Sequence, residues 1–169
     1  TGNSRPASGA EHHLVHLWDM EVLNGHLDAL HGEKVSAGTM VALVEYKKIA
    51  DAIRRKTCKV HTHIEEDREL LQSTFGKKDV LDAIEKENTP ELLDEISTRQ
   101  LNDALPEIMQ IIDALPAVTD MQEMMSKAGC VSRVRDIGLP GEAVSDSLRL
   151  APYTRRRLSL LRLRKLLTY

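Results

Sequence analysis

Five of the seven histidines fall within the first 31 of 169 residues, at His12, His13, His16, His26 and His31. On a helix His12 and His16 stand one turn apart on the same face, a geometry that can place two nitrogens around a metal or around a substrate held by one. His13 points about 100° away. His31 follows His12 by 19 positions at the mouth of the next helical segment. A helical hairpin could return it beside the first face, with Gly32 permitting close backbone approach. The ordinary alternative is a set of surface or core histidines making common hydrogen bonds. Two histidines also form an incomplete site, because catalytic zinc-like ions usually take three protein ligands and keep one position open. A carboxylate is the expected third ligand. Glu11 and Glu33 are the local candidates, yet one lies beside His12 and the other two positions from His31, and each projects elsewhere on its helix, so the third ligand is expected from outside this chain.

The elements that must carry these residues are helical. Ser8 followed by Glu11 has capping-box spacing and opens a helix over about 9–26 with Leu14, Leu17, Trp18 and Met20 or Val22 inward. The clearest long helix is 33–57, where Val35, Thr39, Ala42, Tyr46, Ile49 and Ile53, widened by Leu43 and Ala50, recur in steps of three and four. A connector over 57–66 leads to shorter helices at 66–74 and 77–87, separated by Gly76. Thr89-Pro90-Glu91 is expected to start a helix running to Leu105, and Pro106 and Pro116 are expected to break the acidic middle into helices at 107–115 and 119–128. An irregular 129–141 stretch precedes final helices at 141–149 and 152–167. The sum is an all-α bundle of about seven to nine helices, one helical domain over 1–169, without internal repeats.

Composition narrows the function classes. Aromatics make up only 3% of residues, with 41% hydrophobic and 29% charged. That favours a packed helical protein over a β-sandwich or an aromatic platform for single-stranded nucleic acid. A net charge of -3 gives no global attraction to nucleic acid. Cys58 and Cys130 are expected to be buried free thiols, and no apolar run is long enough to span a membrane. The opening residues lack the apolar core of a signal peptide and an initiator Met, so a processed or truncated chain is expected. His61 and His63 are expected to be solvated connector residues. The basic end, with Arg155, Arg156, Arg157, Arg162, Arg164 and Lys165, is expected to pack its leucines on the domain and pair its cations with acids, chiefly in the 91–123 segment, rather than bind a membrane.

The segments SRPASGAEHHLVHLWDM and LHGEKVSAGTMVAL resemble the metal-binding region of the iron-containing alcohol dehydrogenase and dehydroquinate synthase-like superfamily. Within it they are most similar to sn-glycerol-1-phosphate dehydrogenases of the bacterial arabinose-operon type, and APYTRRRLSLLRLRKLL is similar to the end of those proteins. The resemblance implies the C-terminal helical domain of such an enzyme, with the active site facing an N-terminal nucleotide-binding domain. It further implies that His12 and His31 are ligands of zinc or nickel, that an aspartate from a preceding segment is the third, and that His16 contacts the substrate. The implied reaction is NAD(P)H-linked reduction of dihydroxyacetone phosphate to sn-glycerol 1-phosphate in cytoplasmic phospholipid metabolism, with a small phosphorylated substrate and a homo-oligomer as further implications. Arg5, Ser4 and Ser8 lie where a helix N-terminus could favour the phosphate. The chain holds no glycine-rich dinucleotide loop, since Gly138-Leu139-Pro140-Gly141 is too short and contains proline, so it is expected to be inactive alone. A glycerol dehydrogenase of the same superfamily and a non-enzymatic helical interaction module are the alternatives.

Overall fold

A computed structural model of the chain describes residues 9–64 and 67–169. The described residues form α1 (Ala10–Asp19), α2 (His31–Arg54), α3 (Arg68–Phe75), α4 (Leu81–Glu87), α5 (Thr98–Asp113), α6 (Val118–Lys127), α7 (Ala143–Leu150) and α8 (Leu160–Leu163), linked by short 3-10 turns. The fold is all-α as the periodicity predicts. Among the described residues the one extended pairing is a two-residue antiparallel ladder of β1 (Lys59–Val60) with β2 (Leu167–Thr168), Lys59 opposite Thr168.

The long helix α2 organises everything else. Its predicted stripe is only part of what it buries: Ala37, Met40, Ala42, Leu43, Glu45, Ile49, Ala50 and Ala52 are all inside, so neighbours cover it on several sides. One cluster joins α1 to α7 through Leu14, Leu17, Trp18, Leu148 and Leu150. A second gathers Ile49, Leu101, Leu105, Ile112 and Leu166, and Tyr46 packs on both. The Trp18 indole donates to Ser147 Oγ at 2.9 Å, which satisfies the one polar atom of the largest buried side chain.

Gly38 sets the spacing between α1 and α2. A Cβ there would lie 3.0 Å from the Glu11 carbonyl oxygen, whereas Gly32 has open space within 4 Å. The close approach expected at Gly32 therefore occurs six residues later, at Gly38, seven positions after His31 and on the same face of α2. A side chain at Gly38 would push the two helices apart.

Several boundaries differ from the sequence reading, each for a physical reason. α1 stops at Asp19 because Glu21 takes a left-handed conformation with φ 54°, ending the helix before Asn24. Thr89-Pro90 is a cis bond, and Glu91 caps a single 3-10 turn, Leu92–Glu95, by accepting from the Leu93 N–H. The helix that follows starts instead at Ser97, whose side chain accepts from the Gln100 N–H at 3.3 Å. It runs straight through Pro106. The ring is exposed to solvent, and burial of Leu101, Leu105 and Ile112 on the opposite face offsets the lost hydrogen bond, typically about 3 kcal/mol.

The expected 152–167 helix is also broken, into a 3-10 turn (Ala151–Thr154), an extended stretch, α8 and a further turn before β2. The Pro152 and Arg155 carbonyls, which a continuous helix would spend on N–H groups four residues on, accept instead from the buried Arg162 guanidinium. Packing and pairing dominate this basic end. Arg162 binds Glu91 at 2.7 Å, Arg164 binds Glu45 at 3.0 Å, and Lys165 pairs with Asp67. Of these acids only Glu91 lies in the 91–123 segment. Cys58 is half-buried and free, but Cys130 is exposed, because it follows the left-handed Gly129 at the end of α6.

Candidate metal and substrate site

The first turn of α1 builds the site. Gly9 caps the helix, and the Glu11 carboxylate bends back to accept from the Gly9 N–H and from His12 Nδ1, both at 2.8 Å. Glu11 thus caps the backbone at Gly9, two residues back, rather than at the three-residue spacing from Ser8, and Ser8, Ser4 and Arg5 lie outside the described residues. Burial works to raise the Glu11 carboxyl, but the bonds from His12 and Gly9 outweigh it and hold the group below its usual range. A charged carboxylate can only accept, so Nδ1 carries the proton and Nε2 points away from Glu11, the arrangement found behind metal-bound histidines.

His31 opens α2 at the helix mouth where the sequence places it. Its ring centroid lies 5.9 Å from that of His12, with an interplanar angle of 54°. Two imidazoles on one tetrahedral ion, with metal–nitrogen bonds of about 2.0–2.1 Å, have centroids roughly 5 Å apart, so the pair fits a shared divalent ion after a small side-chain adjustment. Neither local acid is aimed at the pair. Glu11 is held by His12, and Glu33 accepts from the Leu30 N–H at 2.7 Å. Among the described residues no three His, Cys, Asp or Glu side chains gather closely enough to hold a metal.

His16 rises one turn beyond His12, half-buried and with no hydrogen bond to its ring among the described residues. Burial lowers its pKa first, the positive charge of Arg155 lowers it further, and Asp19 opposes them. Asp19 itself pairs with Lys34 of α2 at 2.8 Å. His13 is separate from this group. It is 1% exposed, neither ring nitrogen has a hydrogen-bond partner among the described residues, and its backbone carbonyl accepts from Thr154 Oγ1 at 3.3 Å. Burial, aided by Arg157 and Arg162, pushes it down to about 4. His26 binds Glu21 at the surface, and His63 is drawn in by Asp94 at 2.9 Å rather than fully solvated. The orienting role of Glu11 was hidden in sequence because a glutamate next to a histidine usually points away from it.

These features define an all-α bundle in which two helices bring a histidine pair to one edge. Over 161 residues the chain is 30% identical to a glycerol-1-phosphate dehydrogenase (NAD(P)+) of Halalkalibacterium halodurans, matching 95% of this chain and 32% of that protein. It is 28% identical over 151 residues to the enzyme of the same name from Geobacillus stearothermophilus, covering 89% of this chain and 30% of the relative. A shorter stretch of 57 residues is 42% identical to the glycerol-1-phosphate dehydrogenase of Pyrococcus horikoshii, 31% of this chain and 16% of that one. The chain thus spans about a third of the length of the first two relatives. No protein-family profile and no solved structure matches it. Among the described residues no helix is long and apolar enough to cross a membrane.

Proposed function

We propose that this chain, one helical domain over 1–169, is the metal- and substrate-binding part of a metal-dependent glycerol-1-phosphate dehydrogenase. That enzyme reduces dihydroxyacetone phosphate to sn-glycerol 1-phosphate with cytoplasmic NAD(P)H, and runs the reverse reaction. The observation that carries the reading is the His12–His31 ring pair with Glu11 fixed behind His12. When bound there, zinc or nickel supplies Lewis-acid polarisation of the substrate oxygen, while the hydride comes from a nicotinamide held outside this chain.

The residues of the chain itself have distinct tasks. Glu11 holds the proton on Nδ1 of His12 and so keeps Nε2 available as a ligand. His31 supplies the second nitrogen from the start of α2. His16, one turn along α1, orients the substrate beside the pair and offers a ring with no competing hydrogen bond among the described residues.

Linkage provides the test. A substrate that binds at the metal must tighten metal binding by the same factor that the metal tightens substrate binding. Calorimetric titration of the chain with zinc is expected to give weak binding that strengthens at least about fivefold with sn-glycerol 1-phosphate and not with glycerol. The His12→Ala variant serves as the blank for zinc–phosphate contacts in solution. An equal effect of glycerol would favour the glycerol dehydrogenase, and zinc binding that His12→Ala leaves intact would remove the metal assignment.

A further inference from the structure

Around α1, with His12 taken as the origin, His16 lies about 40° and His13 about 100° away. His13 faces the turn at Thr154, whose hydroxyl donates to the His13 carbonyl at 3.3 Å. The helical wheel therefore sets His16 between the directions of His12 and His13, and Arg155 directly follows the turn whose Thr154 meets the His13 carbonyl. Arg155 has extended backbone, with φ -149° and ψ 132°, and its side chain is exposed. Its guanidinium makes one long bond, 3.4 Å to the Thr154 carbonyl, and no ion pair among the described residues.

The other cations of the neighbourhood are committed. Arg156 turns away to the Pro90 carbonyl at 2.9 Å, Arg162 binds Glu91, and Lys34 binds Asp19. Arg155 is also the charge that acts most strongly on His16. A planar guanidinium with unused donors suits bidentate binding of a phosphate monoester.

We propose that Arg155 binds the phosphate of the phosphorylated substrate, with His16 lying between that phosphate and the His12–His31 pair. The assignment rests on the dehydrogenase reading, and it makes Arg155 the residue that separates phosphorylated from unphosphorylated polyols.

The full chain can be titrated with inorganic phosphate, sn-glycerol 1-phosphate and glycerol while the histidine ring signals are followed by 15N NMR. Both phosphates are expected to shift the His16 signals, and glycerol to leave them in place. Arg155→Ala should weaken phosphate binding at least about tenfold, with Arg155→Lys intermediate because it keeps the charge without the fork, and Arg156→Ala should match the wild type. Equal affinity in Arg155→Ala and wild type, or phosphate binding that leaves His16 unmoved, would overturn the proposal. Zinc added in a separate arm keeps the two readings apart. Zinc at His12 and His31 with no Arg155-dependent phosphate binding overturns the Arg155 assignment alone. Arg155-dependent phosphate binding without zinc at that pair supports the anion site and counts against the dehydrogenase.

Discussion

Replacing Arg162 by alanine is expected to lower the stability of the protein by about 3–5 kcal/mol, the range for removing one member of a buried charged network. The side chain is 1% exposed and ties together the 88–91 segment, the 152–155 turn and α8, adding to the bonds from Asn88 to the Tyr153 carbonyl and from Arg156 to the Pro90 carbonyl. It donates to Glu91 beside the first 3-10 turn of the middle region, to Asn88 at the end of α4, and to the carbonyls of Pro152 and Arg155. Truncation leaves the Asn88 oxygen and two carbonyls without that donor, and removes from Glu91 the charged partner that its bond from the Leu93 N–H does not replace. Urea unfolding at neutral pH measures the loss directly. A change below about 1 kcal/mol would mean that the extended course of 155–159 is held by something else. A lysine at this position should recover little, because one ammonium cannot reach partners spread over a guanidinium fork.

The second large effect is acid lability centred on His13. Its pKa falls from the ordinary 6.5 to about 4 in the folded protein, first because burial disfavours the charged ring and then because Arg157 and Arg162 repel it. A depressed folded-state pKa means that the unfolded chain binds the proton more readily. The neutral ring therefore contributes stability that is fully present above about pH 6.5 and is lost as pH falls toward about 4. At 1.36 kcal/mol per unit the loss is about 3 kcal/mol. His13→Leu, similar in size and without a proton to take up, should remove this component. Unfolding free energies at pH 7 and pH 4.5 should show a much larger drop for the wild type than for the variant. Parallel drops would assign the acid sensitivity to other groups, such as the carboxylates of Glu11 and Glu45, which the fold also holds below their usual range.

What the sequence made legible follows from which interactions are local. Helix periodicity over 33–57 predicts α2 to within a few residues, and the four-residue spacing of His12 and His16 predicts a shared face. The His12–His31 meeting was legible only as a possibility of a hairpin, because it depends on how closely two helices pack. That distance is set by Gly38, which carries no signal until the Glu11 backbone is seen against it. The proline at 106 and the basic run near the end misled for a related reason. Local rules break a helix at the first and continue one through the second, yet burial on the far side of α5 and the demands of the Arg162 guanidinium reverse both outcomes. The β1–β2 ladder joins residues more than a hundred positions apart and leaves no local trace.

The measurement that bears most directly on the His12–His31 pair is a zinc titration of the chain followed through the ring nitrogens of its histidines. The Nε2 signals of His12 and His31 should move together while Nδ1 of His12 keeps its proton toward Glu11, and both changes should vanish in His31→Ala. Zinc that instead moves His26, His61 or His63, with the His12 and His31 rings unchanged, would contradict the assignment.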